Sequence, residues 1–161
     1  MKLVAYIVLG AIVLLLVGAQ AGMLRGRQPV DLGVKNGRLK APSLTRNSVS
    51  SQATLYADHP QRDYAGMAPL PFKDGGAEES MRVLQSVLRD MPGVTVVAQR
   101  PDYLYAQAQT RWLKFVDDLE FWSNPASGSI ELRSASRLGR EDFGVNRQRM
   151  EVIRAAYLAM P

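Results

Sequence analysis

The sequence predicts an α+β protein. An N-terminal transmembrane helix leads into a two-layer domain, in which two helices cover a four-stranded antiparallel meander. Three observations lead there. Leu3 to Leu24 contains no charged residue. From residue 76 onward the apolar spacing reads helix, four strands, helix. The connections between the strands are too short for parallel crossovers, so neighbouring strands run antiparallel.

The first segment, residues 1–24, is a membrane anchor or a signal. Between Leu3 and Leu24 only Gly10, Gly18, Gln20 and Gly22 fall outside the apolar set. As a helix this run is about 33 Å long, enough to cross a hydrocarbon core of about 30 Å. Ala19-Gln20-Ala21 matches the small-x-small pattern of signal cleavage, near Ala21. The apolar run continues through Met23-Leu24, which favours a retained single span. No cysteine follows, so a lipoprotein anchor is excluded.

Residues 25–75 read as an extended arm rich in Pro, Gly and Ser, with no persistent apolar period and room for one short strand. Residues 25–50 hold six basic residues (Arg25, Arg27, Lys35, Arg38, Lys40, Arg46) and one acid, Asp31. Residues 51–161 carry a net charge of −1. The basic excess is therefore a juxtamembrane linker suited to anionic lipid. A nearly neutral domain argues against nucleic acid as a partner. Charge counting across the span puts the domain in the cytoplasm, whereas a signal-like N-terminus puts it outside.

The domain is expected at 76–161, holding the core that residues 25–50 lack. Met81, Val83, Leu84, Val87, Leu88 and Met91 recur at helical spacing. Glu78 and Glu79 suit the first turn, and Pro92-Gly93 stops the helix. Val94, Val96 and Ala98 mark the inner face of the first strand. Leu104, Ala106 and Ala108 mark that of the second. Phe115, Leu119 and Phe121 fix the third, and Ile130 and Leu132 the fourth. A last helix spans Val145 to Met160. The opposite face carries Tyr103, Tyr105, Gln107, Asp118, Glu120, Glu131 and Arg133, polar enough to meet water or the arm.

Alternation also turns Asp117, Ser134 and Ser136 toward the helix-covered face. A buried carboxylate without partners is costly. Asn146 and Arg147 are candidate donors, as is Arg137, although alternation sends it to the other face. These six residues read as a structural lock or as a small polar pocket. Asp142 is placed to cap the final helix, with Gly144 supplying the bend. No phosphate loop, nucleophile elbow or metalloprotease motif is present. His59 with Asp58 and Asp63 is the only cluster resembling metal ligands, and a lone loop histidine is usually surface. No metal or cofactor is expected. Asp118 and Glu120 on an exposed strand read as solvated cross-strand partners.

Phe115-Val116-Asp117-Asp118-Leu119-Glu120-Phe121, Arg133-Ser134-Ala135-Ser136-Arg137-Leu138-Gly139 and Asp142-Phe143-Gly144-Val145-Asn146-Arg147 resemble domain-of-unknown-function family 1499. Leu32 to Leu39 and Asn47 to Gln52 look like the same family. The resemblance spans roughly residues 30–155. It implies bacterial and plastid relatives behind export or membrane signals, and brings no established activity. It also implies two arm cysteines in many relatives, at the places of Pro42 and Ser48 here, and hence an oxidising compartment. That pattern outweighs the charge count. The expectation is a bacterial inner-membrane protein with its domain in the periplasm, or a periplasmic protein released near Ala21. Its domain is expected to bind an unidentified protein or small molecule rather than catalyse. A hydrolase using Asp117 or Asp118 is the alternative. Carriage of an apolar ligand between sheet and helix, where Ala98, Ala106 and Ala108 leave room, is another.

Overall fold

A computed structural model describes residues 1–161. Helix α1 (Lys2–Gln20) is long and apolar enough for a membrane span or a signal sequence. It stands almost wholly exposed, and only Ala19 in its last turn is buried.

The remainder is an antiparallel sheet between two coverings. The arm contributes β1 (Ser48–Ser50), a 3-10 turn at Ala53–Leu55, the short helix α2 (Arg62–Ala65) and β2 (Leu70–Pro71). Helix α3 (Gly76–Asp90) follows, then β3 (Val94–Arg100), β4 (Tyr103–Gln109), β5 (Val116–Asn124), β6 (Ser129–Ser136) and helix α4 (Val145–Ala159). The sheet runs β1-β6-β5-β4-β3, and β2 also pairs with β6. The four-stranded meander is thus extended to six strands by two short pieces of arm, both laid on the free edge of β6. Strands of three and two residues are too short to show an apolar period.

One face of the sheet packs against α3 and α4. Leu84 and Leu88 from α3, and Met150, Ile153 and Tyr157 from α4, close over Leu104, Leu119, Phe121, Ile130 and Leu132. The arm completes this core with Val49 and Leu70, so apolar packing reaches back beyond residue 76. The basic side chains of α4 explain why the arm follows that helix. Arg147 donates to the carbonyls of Tyr64 and Gly66, Arg154 to those of Ala68 and Pro69, and the Tyr157 hydroxyl to that of Pro71. These carbonyls lie in the single-turn helix α2, the irregular stretch after it and the two-residue strand β2, where few regular backbone partners exist, so side-chain donors satisfy them.

The face away from the helices is roofed by residues 28–41. Leu39 packs on Tyr103 and Tyr105, with Leu32 and Val34 beside them. Gln52 Oε1 accepts from Leu39 N at 2.8 Å, and the Tyr56 hydroxyl donates to the Leu39 carbonyl at 2.7 Å. Strand β3 carries one departure from simple alternation. Val96 pairs with Ala106, but Ala98 pairs with Tyr105. The β-bulge between them adds one residue and inverts the faces that follow. Ala98 therefore lies on the arm side with the tyrosines, and Gln99 turns to α3, where it bonds Gln85. The expected small-residue space at Ala98 on the inner face does not exist.

Candidate functional site

The domain holds two buried polar clusters and one set of open grooves. The first lies between β5, β6 and the start of α4. Asp117 is buried on the helix-covered face and accepts from Arg149 Nη2 at 2.6 Å. Arg149 Nη1 also donates to Asn146 Oδ1 at 3.1 Å, which the Ser134 hydroxyl shares. Asn146 Nδ2 donates to Ser136 Oγ at 2.9 Å and Asp142 Oδ2 at 2.8 Å, and reaches the Asn47 carbonyl. Asp142 accepts at 3.0 Å each from the N–H groups of Gly144, which precedes α4, and of Asn146 in the first turn of that helix. Burial raises the Asp142 carboxyl, but hydrogen bonds from Asn146, Gly144 and Tyr64 outweigh that and hold it below its ordinary value.

Five of the anticipated residues meet in or beside this cluster: Asp117, Ser134, Ser136, Asn146 and Asp142. Two do not. Arg147 points to the arm carbonyls, and Arg137 crosses to the other face. The donor to Asp117 is Arg149. On a helix, position i+3 from Asn146 shares its face and position i+1 does not; that spacing was the available signal.

The second group is the face roofed by the arm. Arg133 Nη1 lies 3.3 Å from Glu120 Oε2, and Arg137 binds both oxygens of Asp118 at 2.7–3.1 Å. Tyr103 donates to Glu120 at 2.8 Å and Tyr105 to Asp118 at 2.6 Å. The arm joins in: Gly33 N donates to Glu120 at 2.7 Å, and the Ala41 carbonyl accepts from Arg133. Glu131 accepts from Ser51 Oγ at 2.5 Å. Solvated partners were expected here. Instead Asp118 is 1% exposed and Glu120 0%, because the arm excludes water from this face. Burial lowers the Arg133 pKa against the pull of Glu120, and the hydrogen bond to Asp118 raises that of Arg137. Burial, with Glu120 and Asp118 nearby, pushes Tyr103 well up and Tyr105 up to about 12.

The third group is open. A groove of about 980 Å³ lies between the first half of α3 and the β3–β4 turn, floored by Met81, Leu104 and Trp122 and rimmed by Glu78, Arg82, Arg100 and Asp102. Through Gln85 and Gln99 it continues into a shallower groove of about 460 Å³ along β3, from Val94 to Gln99. A separate recess of about 460 Å³ on the arm is lined by Lys35, Arg38, Lys40 and Tyr56. His59 Nδ1 accepts from Gln61 N at 3.1 Å, and no three His, Asp or Glu side chains converge as metal ligands.

No curated protein and no solved structure matches this chain. One family does match, over residues 38–157, which takes in β1 to β6 and nearly all of α4. The chain belongs to that family, DUF1499, described as protein of unknown function.

Proposed function

We propose that this chain is a membrane-tethered binding module, which takes an extended polypeptide segment of a partner along the free edge of β3. The observation that carries this reading is the edge itself. The arm covers β6, but β3 ends the sheet with no strand beyond it. Val94 to Gln99 holds no proline and no charge, so the bulge between Val96 and Ala98 is the one edge-protecting feature within it. Its free backbone groups suit strand addition, and the groove beside it suits side chains. The hydrolase reading loses support because Arg149 and Arg137 occupy Asp117 and Asp118, away from the open groove. The carrier reading loses support because side chains of α3, α4 and the sheet fill the space between the layers.

Within this proposal α1 is retained as a single-span anchor in the bacterial inner membrane, and the domain faces the periplasm. Retention draws support from Gln20 Nε2, which donates to the Trp112 carbonyl at 3.0 Å; cleavage after Ala21 would remove that contact. A photo-crosslinking residue at Thr95 or Val97, in the full chain in native membranes, should give a discrete protein adduct. The same residue at Leu55, exposed on the arm, should not. Equal background at all three positions sinks the edge as a binding site. A reporter fused at Pro161 that works only in the cytoplasm should be silent. A mature chain beginning at Gly22 would remove the anchor from the proposal.

A further inference from the structure

At the end of the sheet where α1 joins the domain, two loops expose large apolar side chains. The β4–β5 loop presents Trp112, 64% exposed, and the β6–α4 loop presents Leu138 and Phe143, the latter 90% exposed. Leu44, Leu55 and Leu158 are exposed elsewhere, but every other aromatic ring after α1 is buried or half-buried. Both loops touch the tether. The Trp112 carbonyl accepts from Gln20 in the last turn of α1. A Cβ on Gly26 would stand 2.8 Å from Arg137 Cβ and 3.1 Å from Leu138 Cγ, so the linker passes directly over the second loop.

The backbone shows that these side chains are held outward at a cost. Only three non-glycine residues have positive φ, and two of them, Lys114 at 59° and Phe143 at 53°, are in these loops. Val145 N donates to the Asp142 carbonyl at 3.1 Å, closing a turn whose central residues, Phe143 and Gly144, both have φ above zero. Such turns favour Asn-Gly or Gly-Gly. A bulky aromatic there is strained and gains no packing in compensation, which is the pattern of a functional position. The surrounding charge is basic. Arg111 and Arg140 are exposed and Lys114 is partly so, and the one neighbouring exposed acid, Glu141, is engaged by Arg46. The Arg111 guanidinium lies 5.0 Å from the Trp112 ring centroid.

We infer that this end of the domain is a lipid-interfacial surface. Trp112, Leu138 and Phe143 enter the headgroup–acyl boundary of the bilayer that α1 crosses, and Arg111, Lys114 and Arg140 meet its anionic headgroups. Tryptophan is enriched at that depth, and basic residues beside it add electrostatic attraction. The surface holds the domain against the membrane, with the β3–β4 turn and the large groove at the far end of the sheet.

The inference rests on α1 standing in a bilayer, so the test reads both. The chain has no cysteine, and single nitroxide labels can be placed through Trp112→Cys, Phe143→Cys, Leu14→Cys in α1, and Ala126→Cys in the distant β5–β6 turn. The full chain is reconstituted in vesicles of phosphatidylethanolamine and phosphatidylglycerol. Relaxation by oxygen, which concentrates among acyl chains, is compared with relaxation by a water-soluble nickel chelate. The oxygen-to-nickel ratio should be several-fold higher at 112 and 143 than at 126. A water-like ratio at 112 and 143, with Leu14→Cys deep in lipid, overturns the surface and leaves the anchor standing. A water-like ratio at all four positions overturns both.

Discussion

The two consecutive carboxylates of β5 show how much a single residue's environment depends on what covers it. Asp117 pairs with Arg149 under α4, and Asp118 pairs with Arg137 under the arm. Removing one partner of a buried ion pair leaves an unpaired charge in a poor solvent. The expected cost is about 3–5 kcal/mol. Asp118→Ala should destabilise the chain at least as much as Asp117→Ala, since its pair is the more enclosed of the two. Urea unfolding of the detergent-solubilised chain measures both. A change below about 0.5 kcal/mol for Asp118→Ala, ordinary for a surface site, would mean that the arm does not seal this face. Phe143 belongs to the same scale with the opposite sign. A left-handed backbone costs most residues roughly 1–2 kcal/mol and asparagine less. Phe143→Asn should raise stability by up to about 1 kcal/mol while weakening the lipid contact. A loss of stability in the same unfolding assay would show that the aromatic ring is held by packing instead.

At the scale of elements, the arm behaves as part of the domain. Leu39, Val49, Ala53, Ala65 and Leu70 are all buried, and β1 and β2 close one edge of the sheet. An unstructured linker would lose Arg38 to Arg46 to trypsin first. Arg38, Leu44 and Arg46 are exposed, but Leu39 and Asn47 to Ser50 are buried, and opening that stretch requires breaking the Leu39 bonds to Gln52 and Tyr56 and the Ala41 bond to Arg133. Limited trypsin digestion should therefore cut first at exposed Arg25 and Arg27. Residues 38–46 should survive about as long as α4, as read by mass spectrometry of the fragments. Early cleavage after Arg38 or Lys40 would show that the roof opens independently of the sheet.

For the whole molecule, the buried polar layer predicts a response to alkali. The folded pKa of Tyr105 is pushed up to about 12 and that of Tyr103 further, against about 10 for an unfolded tyrosine. The folded state thus holds these protons more tightly. Their contribution is intact below about pH 10 and is lost as pH rises toward and through about 12. Of the five tyrosines outside α1, these two should ionise last, in step with loss of near-ultraviolet circular dichroism. Ionisation of all five in one early step, without unfolding, would show that water reaches the layer. The acid side has the other sign. Asp142 titrates below its ordinary value, so its contribution is present above about pH 4 and is lost as pH falls further.

Local pattern alone determined the membrane-length helix, both domain helices and the four long strands. Charge-free length, 3.6-residue spacing and strict alternation are properties of neighbouring residues, and they needed no partner to be read. The same alternation placed Asp117, Ser134 and Ser136 inward and Arg137 outward. Tertiary structure decided the rest. The bulge that turns Ala98 outward is one inserted residue in a run of β-formers, visible only against β4. The burial of Asp118, Glu120 and Arg133 follows from the arm crossing their face, and an arm without apolar period carries no sign of where it will lie. Arg149 became the partner of Asp117 because α4 was set at one rotation over the sheet by Met150, Ile153 and Tyr157. The i+3 spacing from Asn146 marked Arg149 as sharing its face, and long-range packing brought that face over Asp117.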